Sequence, residues 1–374
     1  MRFALLLTIL CVSVGLPALA QTPEGQWTYS ADALRPFWAG DTVEGESVLF
    51  IRKDEGAAAA GQLLFPVEKI VAVRNSQGDV TYEEGRDYQW QPGSRTITLP
   101  AGSRIPSRTP DQLRRPAKSQ PYELTHRDGN GEIFFSGRLD YAEMQTCFTY
   151  RHAADQWTAP TPKADLASLP KTRTQLQSGE GLTLVTLGDS ITAGANASGE
   201  FNAAPFQPAY PELVRRELSE HYHKPVTLVD LAVGGTDTAW GLTQVDQVVA
   251  AQPHLVVLAF GMNDSSGRPA AEYQANTEKI IAAIRAQLPD CEFILVASML
   301  GNRDWIRLKH ELFPQYRDAL SELVEPGVAL ADLTTTWTAF LEQKQDWDIT
   351  GNGVNHPNDF GHRVYAQTIL ALLR

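Results

Sequence analysis

From residue 181 the chain alternates near-continuous Val/Leu/Ile runs with amphipathic stretches, and no other feature constrains its fold as much. "GLTLVTLGD", "VTLVDLAV", "HLVVLAFGMND", "EFILVASML" and "VALADL" read as strands. Between and after them, "AYPELVRRELSEHY", "TAWGLTQVDQVVAA", "AAEYQANTEKIIAAIRAQL", "LKHELFPQYRDALSELV" and "DFGHRVYAQTILALLR" read as helices. A strand that is apolar at nearly every position is buried on both faces, the situation of a parallel sheet covered by helices. The expected fold over residues 181–374 is therefore α/β, with helices on both faces of a parallel sheet. Ligands of such sheets bind beyond the carboxyl ends of the strands, so the residues that follow each strand are where chemistry is expected.

The preceding region has a different grammar. Between about residues 25 and 150, "ESVLFIRK", "EKIVAVRN", "DVTYEEG", "TITLPAG", "PYELTHR", "GEIFFSG" and "TCFTYRH" read as short strands separated by turn-forming stretches such as "NSQGD", "QPGSR" and "RDGNGE". Residues 21–157 are expected to form an all-β sandwich, jelly-roll-like. Residues 158–180, rich in Pro, Ala, Lys and Ser, are expected to be a linker or a strap on the surface. Residues 1–20 read as a cleaved secretory signal. Arg2 precedes a short apolar run, and Ala18-Leu19-Ala20 matches the small-x-small cleavage pattern. The run is shorter than the roughly 20 residues a membrane span needs, so a secreted or periplasmic protein without a membrane span is expected. Of the remaining cysteines, Cys147 and Cys291 lie far apart in sequence and are expected to be free thiols, although export would permit a disulfide. The formal net charge of -12 disfavours nucleic acid as a partner.

The strand ends carry four elements, each ambiguous alone. The first strand runs into "LGDSITAG", which places Ser190 just past buried backbone, as an exposed hydroxyl or a turn residue. The second leads to Gly234-Gly235, where a backbone N–H could donate to a developing negative charge, or simply turn the chain. The third ends in "FGMNDSS", where the Asn263 amide could donate likewise or cap the next helix. His356 stands in "GNGVNHPNDFGH", a stretch too rich in Gly, Asn and Pro for helix or central strand, and a poor place for a packed core histidine.

Taken together, "GDSIT", "GG", "GMND" and "NHPND" match in type and order the four blocks of the SGNH, or GDSL-type, hydrolases, and the resemblance covers about residues 181–374. The family's sheet is flavodoxin-like, in agreement with the alternation above. The resemblance implies a serine esterase: Ser190 as nucleophile, His356 as general base and then acid, and an oxyanion hole from the N–H groups of Ser190 and Gly235 with the Asn263 side chain. It implies no metal and no organic cofactor. The sequence departs from the family at one point. An aspartate usually stands three residues before the histidine; here that position is Gly353, and with one residue inserted it is Asn352. Asn352 through its amide, Gly353 through its carbonyl, and Asp348 or Asp359 as substitute acids are the candidates to orient the ring, Asp359 having a competing reading as a helix cap. The chain resembles two-domain carbohydrate esterases of this superfamily that work with a Ser–His dyad, which implies an acetyl ester on a carbohydrate as substrate. A lipid, thioester or aryl esterase, and a carbohydrate-binding protein that has lost catalysis, are the alternatives. Trp240 and Trp305 are candidate sugar-stacking residues, with packing as the competing reading. Oligomeric state is not legible.

Overall fold

The computed structural model describes residues 27–163 and 168–374; the expected signal segment lies outside them. Five strands, Leu182–Gly188, Val226–Asp230, Leu255–Ala259, Glu292–Ala297 and Val328–Asp332, form one wholly parallel sheet. Numbered along the chain, their spatial order is second, first, third, fourth, fifth, the flavodoxin-like order with a switch point beside the first strand. The continuous apolar runs follow from burial on both faces. On one side Leu182, Leu184, Leu255, Val257, Ile294 and Val296 pack with Leu213, Leu218 and Val364. On the other, Val185, Leu187, Val256, Leu258, Phe293 and Leu295 pack with Ile280 and Ile284.

The covering helices include Tyr210–Tyr222, Ala270–Arg285, Leu312–Ser321 and the closing helix Asp359–Leu370. "TAWGLTQVDQVVAA" is broken into Thr238–Leu242 and Val245–Ala250. Besides the four-residue Asp346–Ile349, two further helices of nine residues have no counterpart in the sequence pattern. Leu333–Leu341 is capped by Asp332, whose carboxylate accepts the Thr335 N–H at 2.8 Å, and it buries Trp337 and Phe340. Pro170–Ser178 lies inside the expected linker: buried Glu292 reaches from the sheet to accept the N–H groups of Lys171 (3.0 Å) and Thr172 (2.6 Å), holding the helix N-terminus. Negative charge at that end is favourable because the first N–H groups of a helix lack internal partners.

The N-terminal region is built from β-strands, as expected; they pair mostly antiparallel, in small sheets. Thr42–Val48, Thr146–Arg151 and Lys69–Asn75 form one sheet, with Thr146–Arg151 in the centre. Thr96–Thr98, Ala60–Gln62, Phe50–Ile51 and Ser107–Arg108 form a second, with one parallel pairing, Phe50–Ile51 on Ser107–Arg108. Segments 79–85 and 121–127 contribute isolated bridges rather than strands. The core of this region is continuous with that of the α/β sheet. Phe37 packs on Phe340 with ring centroids 4.6 Å apart. Lys344, whose side chain is fully buried, donates to the buried Glu46 carboxylate and to the Gln62 carbonyl at 2.9 Å. Glu46 also accepts the Tyr150 hydroxyl (2.6 Å) and the Leu64 N–H (2.9 Å), so both charges are fully partnered. Cys147 and Cys291 are free.

Candidate active site

Ser190 follows the first strand by two residues, in a turn whose neighbour Asp189 is buried and accepts the Ile191 N–H at 3.0 Å. Burial pushes the Asp189 carboxyl up to about 7. The Ser190 hydroxyl lies 2.8 Å from His356 Nε2. The two residues are 166 positions apart, and the topology joins them because both loops sit at the carboxyl end of the sheet. Burial pushes the His356 imidazole down to about 4, with a smaller contribution from His362.

The loop after the second strand is stapled beneath the nucleophile: Val233 N donates to the Gly188 carbonyl at 3.1 Å. A Cβ on Gly234 would lie 3.7 Å from the Ser190 Cβ, so this turn faces the serine. Gly235 has φ +79°, a left-handed conformation that glycine adopts without strain. Among the described residues, neither the Ser190 N–H nor the Gly235 N–H is spent on a protein acceptor. Asn263 donates one amide hydrogen to the Thr236 carbonyl at 2.7 Å, which ties it to the same loop and leaves its second hydrogen unspent. It caps no long helix; Asp264 beside it binds Thr238 and Arg268 instead. The structure thus brings together Ser190, His356 and, on the loops beside them, Gly235 and Asn263.

None of the four proposed orienters meets the His356 ring. The Asn352 Oδ1 accepts the N–H groups of Val354 (2.8 Å), Asn355 (2.9 Å) and His356 itself (3.2 Å), so this side chain is the hub of the loop backbone. The Gly353 carbonyl accepts Asn302 Nδ2 at 2.8 Å. Gly353 must be glycine on two grounds: φ is +87°, and a Cβ would come within 2.3 Å of the Phe134 carbonyl. Asp348 accepts Leu49 N (2.8 Å) and Gln345 N (3.0 Å). Asp359 accepts Ser198 N at 2.8 Å, and the helix cap is Asn358, which accepts Gly361 N at 3.0 Å. The Nδ1 partner is Asn196, whose Oδ1 lies 2.9 Å away. Spacing from the histidine does not lead to it, because Asn196 lies on a different loop, six residues after the nucleophile. The only local signal is an asparagine in a Gly/Ala-rich turn, "TAGANAS".

Trp305 donates its indole N–H to the Glu123 carbonyl at 3.2 Å and packs beside Leu124, Ile133 and Val354. Trp240 stands edge-on to Phe260. Both are partly buried packing residues. Among the described residues, no cluster of three or more His, Cys, Asp and Glu side chains is placed to hold a metal, and no helix is long and apolar enough to cross a membrane.

Residues 186–364 match the GDSL-like lipase/acylhydrolase family. Similar solved structures include a two-domain esterase active on acetylated mannans, at 20% identity over 57% of this chain and 54% of that one, with TM-score 0.45. They also include an acetyl xylan esterase from Geobacillus stearothermophilus, at 19% identity over 51% and 94%, with TM-score 0.42. A lipase from a goat rumen metagenome matches at 17% identity over 51% and 97%, also with TM-score 0.42. The chain thus spans about half the length of the mannan esterase. No curated protein matches the sequence. The stretch 186–364, which carries the GDS, GG and GMND blocks after strands of the parallel sheet and the NHP block just before the closing helix, is thus similar to the GDSL-like lipase/acylhydrolase family.

Proposed function

We propose that the protein is a secreted serine esterase that removes acetyl groups from carbohydrate. The observation that carries the reading is the 2.8 Å contact between Ser190 Oγ and His356 Nε2, set beside the unspent donors of Ser190, Gly235 and Asn263. In the first half-reaction Ser190 Oγ attacks the acyl carbon and its proton passes to His356 Nε2. The charge that forms on the carbonyl oxygen is met by the Ser190 and Gly235 N–H groups and by Asn263 Nδ2. His356 then returns the proton to the departing sugar oxygen as the C–O bond breaks, leaving an acyl-serine. Water, deprotonated by His356, releases acetate and restores the serine. One oxyanion donor of this kind contributes about 3–4 kcal/mol to the barrier.

Carbohydrate is favoured over lipid by the surface that the N-terminal region adds beside the histidine loop. Tyr122 is 61% exposed and edge-on to Phe135, which packs against the cluster of Leu124, Ile133 and Val354, the last of these two residues before the histidine. An exposed aromatic surface on such a rim suits a ligand with apolar faces and polar edges. Export rests on the expected signal segment. Acetate release from acetylated xylan and mannan, measured with an ester series from acetyl to long acyl chains, tests the proposal. The acetyl ester is expected to give the highest kcat/KM, with Ser190→Ala inactive throughout. A maximum at octanoyl or longer would overturn the carbohydrate reading.

The depressed imidazole sets a second expectation. A general base works only when neutral, and His356 remains neutral down to about 4. The acidic limb of kcat/KM should therefore lie near pH 4 rather than near the ordinary imidazole value of about 6.5. Because Asp189 titrates close by, the profile is to be repeated in Asp189→Asn, where the limb must persist. A limb near 6.5 in both proteins would contradict the enclosed, uncharged setting of the ring.

A further inference from the structure

Asn196 is buried, its backbone is left-handed at φ +66°, and its Ala195 neighbour donates back to the Ser190 carbonyl at 2.9 Å. Asparagine tolerates this conformation better than most residues. The tight turn after the nucleophile thus swings the Asn196 amide round to the far side of the His356 ring. One end of that amide faces two backbone carbonyls, Arg138 O at 2.7 Å and Gly351 O at 3.2 Å. A carbonyl can only accept, so this end must be the NH2 group, and the oxygen must face His356 Nδ1. An oxygen at Nδ1 in turn requires the proton there. Nε2 is left with the lone pair that points at Ser190. Two carbonyls thereby assign the tautomer that a base at this position needs.

We infer that Asn196 is the positioning residue of His356, and that the N-terminal β region holds it in its working orientation through the Arg138 carbonyl; this rests on the reading of His356 as the base. The Arg138 carbonyl is itself fixed. The Ser136 hydroxyl donates to Asp140 at 2.7 Å and accepts the Arg138 N–H at 3.2 Å, while the Ser136 N–H donates to the Asn352 carbonyl at 3.1 Å. The turn 136–140 is therefore bolted to the histidine loop as well as to Asn196. An acid on the histidine loop would orient the ring from within one segment. Here three segments, far apart in sequence, meet on one amide, and one of them belongs to the N-terminal region. Unlike a carboxylate, that amide brings no charge to the imidazolium; its contribution is direction alone.

The test compares Asn196→Ala, Ser136→Ala and their combination with the parent, using kcat and KM on a short acetyl ester and the imidazole nitrogen resonances of His356. Asn196→Ala is expected to lower kcat on the order of 10²-fold, the low end of what a well-placed base contributes. KM should stay within about twofold, since the loss falls on the transition state. The His356 resonances should move from a single Nδ1–H form to a mixture of tautomers. Ser136→Ala, which leaves Asn196 intact, is expected to reduce kcat by about tenfold through misplacement of the clamp, and to add nothing in the Asn196→Ala background. If Asn196→Ala keeps kcat within about threefold and a pure Nδ1–H tautomer while Ser190→Ala is dead, the positioning role falls and the esterase reading stands. If Ser190→Ala is active, the esterase reading itself falls. Additive losses in the double variant would remove the N-terminal clamp from the account.

Discussion

Ser190→Ala is expected to lower kcat by about 10⁴–10⁶-fold, His356→Ala by a similar factor, and the double variant by no more than either alone. The reason is geometric. With Oγ and Nε2 at 2.8 Å, the serine is nucleophilic only while the imidazole takes its proton, and the imidazole has nothing to accept once the hydroxyl is gone. The two side chains therefore act as one unit, and their losses do not add. The residual rate belongs to the oxyanion donors and to substrate binding, which neither variant removes. Single-turnover measurement of acetate release in the three variants checks the expectation. Multiplying losses in the double variant would mean that each group acts on a separate step, which the shared hydrogen bond does not allow.

Lys344→Met is expected to destabilise the protein by about 3–5 kcal/mol, as breaking a buried pair from one side leaves an uncompensated charge. Glu46 and Lys344 are fully shielded from solvent, and Glu46 would keep its carboxylate with only the Tyr150 hydroxyl and the Leu64 N–H as donors. Adding Glu46→Gln removes that charge while keeping an acceptor for both groups, so the double variant should recover most of the loss. Chemical denaturation, followed by tryptophan fluorescence and by activity together, reads both effects. A Lys344→Met protein within about 1 kcal/mol of the parent would show that water replaces the ammonium and that the site is less sealed than its burial implies.

The hydrolase half was legible because its signal is local. Runs such as "TLVTLG" and "LVVLA" are apolar at most or all positions because both sheet faces are covered, and the residues that follow each run are therefore at the strand ends. His356 was legible for a similar reason, since its Gly/Asn/Pro surroundings left no helix or strand to bury it in. Asn196 was not legible. The acceptors that give its amide a direction come from Arg138, 58 positions earlier, and Gly351, 155 positions later. No spacing rule joins such residues. Helix Leu333–Leu341 was hidden by "TTTW", whose β-branched residues disfavour helix locally, while the buried Trp337 and Phe340 and the Asp332 cap decide it through packing. Helix Pro170–Ser178 was hidden for the complementary reason: it is polar, and Glu292 secures it from across the chain. The runs at 79–85 and 121–127 have strand-like composition but only isolated bridge partners, so they remain connecting segments.

The Asn352 hub and the Arg138 carbonyl bear on how such a chain can change over generations. Every residue proposed for the chemistry lies after position 185, so a recombination event that transferred only that half would carry the whole reaction apparatus. It would leave behind the carbonyl that sets the Asn196 amide and the Ser136 N–H that meets the Asn352 carbonyl. The two halves are therefore expected to be inherited as a pair, and exchanges that bring in a foreign N-terminal region should succeed only when the donor also supplies a carbonyl at that one spot.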